Sequence, residues 1–180
     1  RVFFQANGNL YLRENAHRPQ SPVEDGECTD PTAACTVQLD AAQGAGPGGD
    51  GKFAWASKDG TLAYFTAPAS SGLTPDTEPG SGTNLYRYNA NTGQLTNITA
   101  GPDARVNGVS GVSDDGAYAY FVAEGALAAG ATAGQPNLYV LHDGTVTFIA
   151  TLAPPGPGLD PGDSHAWNLE QLRARISPSG

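Results

Sequence analysis

Residues 113–152 read SDDGAYAYFVAEGALAAGATAGQPNLYVLHDGTVTFIATL. Ser113-Asp114-Asp115-Gly116 is a turn sequence. Tyr118, Tyr120 and Val122 then alternate with Ala117, Ala119 and Phe121, the period of two that suits a strand. Asn137-Leu138-Tyr139-Val140-Leu141 predicts a second strand, and Val146-Thr147-Phe148-Ile149 a third. Asp143-Gly144 between the two apolar runs is a hairpin signal.

Working outward, the same order of elements returns. Ser-x-x-Gly occurs at Ser57/Gly60, Ser113/Gly116 and Ser177/Gly180. An aromatic pair follows the first two, at Tyr64-Phe65 and Tyr120-Phe121. Asn-Leu-Tyr opens a later strand at Asn9, Asn84 and Asn137. A fixed order of landmarks marks a repeat, and a repeat governs the fold before any local motif does. Each period holds four predicted strands: one before Ser-x-x-Gly, one with the aromatics, one at Asn-Leu-Tyr, and one after the next turn. Four short antiparallel strands per repeat describe a β-propeller blade. The expected fold is therefore all-β, a propeller segment of about three four-stranded blades. The whole chain, 1–180, is one region, with repeats near 1–52, 53–105 and 106–172, and with 173–180 starting a further blade.

The landmarks have structural readings. A meander with two apolar faces must stack on neighbours to bury them. Gly60 and Gly116 are expected to supply the positive φ of a two-residue hairpin, with Asp59 and Asp115 as ordinary turn residues. Asn9, Asn84 and Asn137 are expected to hydrogen-bond backbone at a loop-to-strand junction.

The pattern resembles the WD40-like β-propeller repeat proteins of the PD40 and TolB-propeller type. Ser57-Lys58-Asp59-Gly60 and Ser113-Asp114-Asp115-Gly116 match the turn of that family, and Ser177-Pro178-Ser179-Gly180 departs from it with Ser for Asp. The resemblance implies a bacterial, extracytoplasmic and non-enzymatic binding disc. Other proteins of that type carry the propeller beside a serine peptidase domain. The ends, Ser177-Pro178-Ser179-Gly180 and Arg1-Val2-Phe3-Phe4, would rebuild one landmark if joined with one residue between. A propeller needs four to eight blades, so the expectation is a piece of a longer propeller, with a closed assembly of two three-blade chains as the alternative.

Composition agrees with a turn-rich β protein. The chain has 180 residues, 24 Gly and 14 Pro, and only 15% charged residues. Its net charge of −9 argues against nucleic acid and anionic membranes as partners, since both need basic patches. No run approaches the apolar length of a membrane helix. The missing start methionine and leader indicate a mature region or an excised piece. Cys28 and Cys35 close a short loop, CTDPTAAC, compatible with a disulfide and an oxidising compartment, or with two free thiols. The expected location is extracellular, periplasmic or at the cell surface.

Chemistry-bearing motifs are sparse. Glu24-Asp25-Gly26-Glu27 with Asp30 could gather oxygens for Ca²⁺ but lacks the spacing of a calcium loop, and no other cofactor is indicated. Asp160 and Asp163 form another acidic turn. His17, His142 and His165 include one Ser-His neighbour pair, Ser164-His165, which is not a dyad. Neither Gly-x-Ser-x-Gly nor His-Glu-x-x-His occurs. Asn97-Ile98-Thr99 fits an N-glycosylation acceptor. The reading is a non-catalytic binding or scaffold module; a propeller hydrolase or lyase and a self-assembling repeat protein are the alternatives. A protein or small ligand would bind at a loop rim or the channel mouth, through residues 14–32, 68–82 and 152–167. Self-association would use exposed terminal blades.

Overall fold

A computed structural model describes residues 1–25, 27–78, 80, 82–101, 103–152 and 176–180. The strands in chain order are β1 (Val2–Ala6), β2 (Asn9–Glu14), β3 (Val23–Glu24), β4 (Glu27–Cys28), β5 (Cys35–Gln38), β6 (Lys52–Ala56), β7 (Leu62–Pro68), β8 (Thr83–Asn89), β9 (Gln94–Asn97), β10 (Val106–Val112), β11 (Tyr118–Ala123), β12 (Asn137–His142) and β13 (Thr145–Thr151). One 3-10 turn, Ala69–Ser71, follows β7. The protein is all-β. Its antiparallel sheets are β1-β2-β5, β6-β7-β8-β9 and β10-β11-β12-β13, with β3-β4 as a small separate hairpin.

Local sequence explains the meanders. Asn7 and Gly8 both adopt positive φ, 52° and 81°, as do Asp143 and Gly144, 49° and 74°. These two-residue loops match the right-handed twist of the flanking strands. Alternation along the strands then feeds two cores. Tyr64 and Phe65 are neighbours on β7 and point to opposite faces. Phe65 packs with Leu10, Leu12 and Leu39 on one side, and Tyr64 with Val109, Phe121 and Tyr139 on the other. The second sheet is thus buried on both faces, between the first and the third. Tyr64, Phe65, Tyr86, Phe121 and Tyr139 are all 0% exposed. Each contributes roughly 1.5–3 kcal/mol by leaving water.

Pairing register identifies equivalent positions without reference to motifs. Phe4 faces Tyr11, Phe65 faces Tyr86, and Phe121 faces Tyr139. Ala6, Ala67 and Ala123 face Asn9, Asn84 and Asn137 in turn. Hence β1 corresponds to β7 and β11, not to β6 and β10. This corrects the expectation of four strands in every repeat: the first sheet has three, because no described strand pairs with β1 on the side where β6 pairs with β7. The described sheets stack side by side and do not close a ring.

Two loop expectations also change. Residues 14–32 are not uniformly irregular: they carry the β3-β4 hairpin and a parallel bridge from Gln20 to Ala34. The Ser-x-x-Gly turns are not two-residue hairpins. Ser57 N donates to Leu62 O at 2.8 Å and Ser113 N to Tyr118 O at 2.9 Å, leaving four residues in each loop. The Gly-rich segment before β6 is bonded to the chain that follows β7. Gln43 N and Gly44 N donate to Leu73 O, and Gly48 N to Ser71 O. A Cβ on Gly44 would sit 2.7 Å from the backbone of Thr74, so glycine is there for close approach of two chains.

Candidate functional site

The strands run between two rims: the Ser-x-x-Gly turns lie at one, and Asn9, Asn84 and Asn137, which face Ala6, Ala67 and Ala123 at the far ends of β1, β7 and β11, lie at the other. In each turn the serine hydroxyl does two things. Ser57 Oγ donates to Asp59 Oδ1 at 2.7 Å and accepts from Leu62 N at 3.0 Å; Ser113 Oγ donates to Asp115 Oδ1 at 2.6 Å and accepts from Tyr118 N at 2.9 Å. Gly60 N and Gly116 N close the turns on the serine carbonyls, with φ of 71° and 74°. The Ser57 hydroxyl, then Thr61, hold the Asp59 carboxyl well below the usual carboxylate range. The Ser113 hydroxyl, then the Ala117 amide, lower Asp115 in the same way. Ser179 replaces the aspartate in the last turn, and Ser177 Oγ donates to Gly180 O instead.

Neighbouring turns are joined. Lys58 N donates to Asp114 O, and Asp114 N to Pro178 O, both at 2.8 Å. Each turn glycine also faces the equivalent side chain of the preceding sheet: Gly60 faces Arg1, Gly116 faces Leu62, and Gly180 faces Tyr118. Tyr64 Oη adds a bond to Gly116 O at 2.7 Å, from a phenol whose pKa burial pushes up.

The opposite rim holds an open cavity of about 490 Å³. It lies where the end of β1, the start of β6, the end of β7 and the starts of β8 and β10 converge. Gln5, Asp50, Lys52, Thr66, Thr83 and Asn107 supply its polar groups. Asp50 and Lys52 are exposed and carry opposite charges. Their placement depends on a buried carboxylate beneath. Asp40, 0% exposed, accepts from Leu10 N at 3.0 Å, Gly51 N at 2.9 Å and Gln38 Nε2 at 3.0 Å. Gly49 N donates to Asp40 O and Asp50 N to Gly8 O, which keeps Asp50 in the left-handed region at φ 62°. Gln5 Nε2 then bonds Gly51 O at 2.8 Å. The cleft can hydrogen-bond a polar ligand and offer one carboxylate and one ammonium to it. Pattern reading missed this site, because its residues come from five strand ends with no shared motif. The Gly48-Gly49-Asp50-Gly51 run was the one local signal.

Other sequence candidates fall elsewhere. Of the Asn residues of Asn-Leu-Tyr, Asn137 makes the expected bonds to backbone, whereas among the described residues Asn84 and Asn9 bond side chains instead. Asn137 Nδ2 donates to Thr132 O and Gln135 O, each at 2.8 Å, and its Oδ1 accepts from Thr151 Oγ1. Asn84 Oδ1 accepts from Thr99 Oγ1 at 3.4 Å, and Asn9 Nδ2 donates to Tyr11 Oη at 3.4 Å. Cys28 and Cys35 are joined in a disulfide that ties β4 to the start of β5. Among the described residues, no three His, Cys, Asp or Glu side chains gather as a metal site. Glu24 and Glu27 oppose each other in the β3-β4 hairpin, and Asp30 is bonded to Thr32. His142 stacks on Tyr118 with ring centroids 3.9 Å apart, and His17 is exposed. Asn97 is only 7% exposed with its amide nitrogen buried, so the folded chain does not present it as a glycan acceptor. Ser164, His165, Asp160 and Asp163 lie outside the described residues. Of the three long loops, residues 68–82 border the cleft through Pro68. The loop at 14–32 begins at Glu14, which bonds Arg1 beside the Ser-x-x-Gly turns, at the opposite rim. Nearly all of 152–167 is outside the described residues.

No family model matches the chain, and no curated protein matches it. No described helix is long and apolar enough to cross a membrane.

Proposed function

We propose that this chain is a propeller-type repeat module of the WD40-like PD40/TolB kind, and that it binds rather than catalyses. The observation that carries this reading is the recurrence of one contact set. The second residue of each turn donates to its counterpart in the next, Lys58 to Asp114 and Asp114 to Pro178. Sheets related by one repeated step are what arrangement about a common axis requires. The cleft at the opposite rim is the binding site of this reading. Its ligand is a short polar chain with charges of both signs, such as a peptide segment, matched to Asp50 and Lys52. The Cys28–Cys35 disulfide supports a location outside the reducing cytoplasm, in the periplasm, at the cell surface or beyond.

The test is an amide NMR titration against a panel of tripeptides and, separately, disaccharides. Binding is expected to move the signals of Gln5, Asp50, Lys52, Thr66 and Asn107, and Lys52→Ala to weaken a peptide hit by about tenfold, the size of one charge-assisted hydrogen bond. Shifts confined to the Ser-x-x-Gly rim, or none from either panel, would overturn the assignment.

A further inference from the structure

The sequence holds two Asn-Gly steps, Asn7-Gly8 and Asn107-Gly108, and both reach the cleft, since Gly8 and Asn107 line it. Asn-Gly is the dipeptide at which a chain most readily modifies itself. The glycine nitrogen attacks the asparagine side-chain amide, and glycine has no Cβ to obstruct the approach. In a folded chain the reaction requires the asparagine ψ to rotate, and that rotation carries the next peptide plane with it.

The fold treats the two steps differently. Asn107 lies within β10, between Val106, which pairs with Ala123, and Gly108, which pairs with Val122. Gly108 is buried. Rotation at Asn107 would break this pairing and drag a buried residue with it. Asn7 and Gly8 instead form the two-residue loop between β1 and β2, at φ 52° and 81°. Among the described residues the Gly8 N–H donates no hydrogen bond, and a Cβ built on Gly8 would meet nothing within 4 Å. Three Asp-Gly steps have the opposite setting. At Asp50-Gly51, Asp59-Gly60 and Asp115-Gly116 the glycine N–H is held by Asp40 Oδ2, Ser57 O and Ser113 O. Asp143-Gly144 has the loop conformation of Asn7-Gly8, with φ of 49° and 74°, but a carboxylate is a poorer electrophile than an amide.

We propose that Asn7 is a self-modification site that reshapes the cleft. Gly8 N forms a bond to Asn7 Cγ, the Cγ–Nδ2 bond breaks, and Nδ2 leaves as ammonia with the proton given up by Gly8 N. Water then opens the resulting succinimide. Its attack at Cγ gives aspartate, and its attack at the main-chain carbonyl gives isoaspartate, in which the chain runs through Cγ. Nothing is oxidised or reduced. The isoaspartyl form adds one backbone methylene to a two-residue loop. Gly8 O, which accepts from Asp50 N at 2.9 Å, is carried out of place. That bond helps to hold Asp50 at φ 62°, so the carboxylate of the cleft moves with it. The inference concerns the shape of the cleft and stands whichever ligand the cleft takes.

Ageing the folded 180-residue chain in mildly alkaline buffer, followed by peptide mapping in a mass spectrometer, tests it. The peptide carrying Asn7 is expected to gain the mass of deamidation, with isoaspartate the larger product. The peptide carrying Asn107 is expected to stay intact in the fold, and both are expected to react alike in urea. In the aged chain the amide signals of Asp50 and Gly51 are expected to move. Asn7→Asp, with the new charge and no added methylene, is expected to leave them near their original positions. Asn7→Ser is expected to remove both the mass gain and the signal changes on ageing. A folded chain that keeps Asn7 intact while the unfolded chain loses it would overturn the proposal, as would equal reaction at Asn107 in the fold. So would an isoaspartyl chain whose Asp50 signal coincides with that of Asn7→Asp.

Discussion

The amide of Lys58 donates to the carbonyl of Asp114, and the amide of Asp114 passes the same bond on to Pro178, each over 2.8 Å. These bonds link turns of different sheets through equivalent residues. The relationship makes the turn glycines sensitive to two separate costs, backbone conformation and crowding.

Gly116→Ala is expected to destabilise more than Gly144→Ala. Both sit at φ 74°, where an L-residue costs roughly 1–2 kcal/mol. At Gly144 an added Cβ meets nothing within 4 Å, whereas at Gly116 it comes within 2.9 Å of Leu62 Cδ1 and 3.2 Å of Ser57 Cβ. Urea unfolding of both variants checks the order; equal losses would refute it.

Asp40→Ala is expected to cost about 2–4 kcal/mol, since it leaves the buried amides of Leu10 and Gly51 without an acceptor. Asp40→Asn keeps a carbonyl oxygen for both and is expected to cost under half as much. The same pair of variants, followed by NMR, should show Asp50 and Lys52 shifting in Asp40→Ala and little in Asp40→Asn.

Acid stability should report the two intact turns. Asp59 and Asp115 are held below their ordinary value of 3.8 in the fold. A lowered folded pKa means the unfolded chain binds protons first as the pH drops. Their stabilisation is whole well above 3.8, shrinks as the pH falls below that value, and is gone once the pH passes the lowered folded values. The urea midpoint of the wild type should therefore fall more steeply between neutral and acid pH than that of the Asp59→Asn/Asp115→Asn double variant. Parallel curves would show that these carboxyls are not linked to folding.

Removing the disulfide with Cys28→Ser and Cys35→Ser is expected to cost about 2.5 kcal/mol, from the loop-closure entropy of its seven-residue separation. The loss should come with loosened amide protection in β3, β4 and the start of β5, and unchanged protection in β11 and β12. Hydrogen exchange distinguishes this from a global effect.

Much of the β content could be read locally. Asn7-Gly8 and Asp143-Gly144 form the turns their dipeptides favour, because positive φ is cheap for Gly and tolerated by Asn and Asp. Tyr64-Phe65 and Tyr120-Phe121 announce strands because successive side chains point to opposite faces. Of the residues that build the cleft, only the Gly48-Gly49-Asp50-Gly51 run gave a local signal. Asp40 reads as a polar residue after a strand, and only packing shows it to be a buried anchor. Gly44 reads as linker composition, yet it is glycine because another backbone passes close by.

What the sequence alone determined is the alternation of strands and turns and the order in which they repeat, since φ preferences and the two-residue period belong to consecutive residues. Tertiary structure decided which strand opens each sheet, which aromatic pairs are buried, and which strand ends meet as a cleft. Those depend on segments far apart in the chain meeting at one register, and the pairings Phe4 with Tyr11, Phe65 with Tyr86 and Phe121 with Tyr139 are what set it.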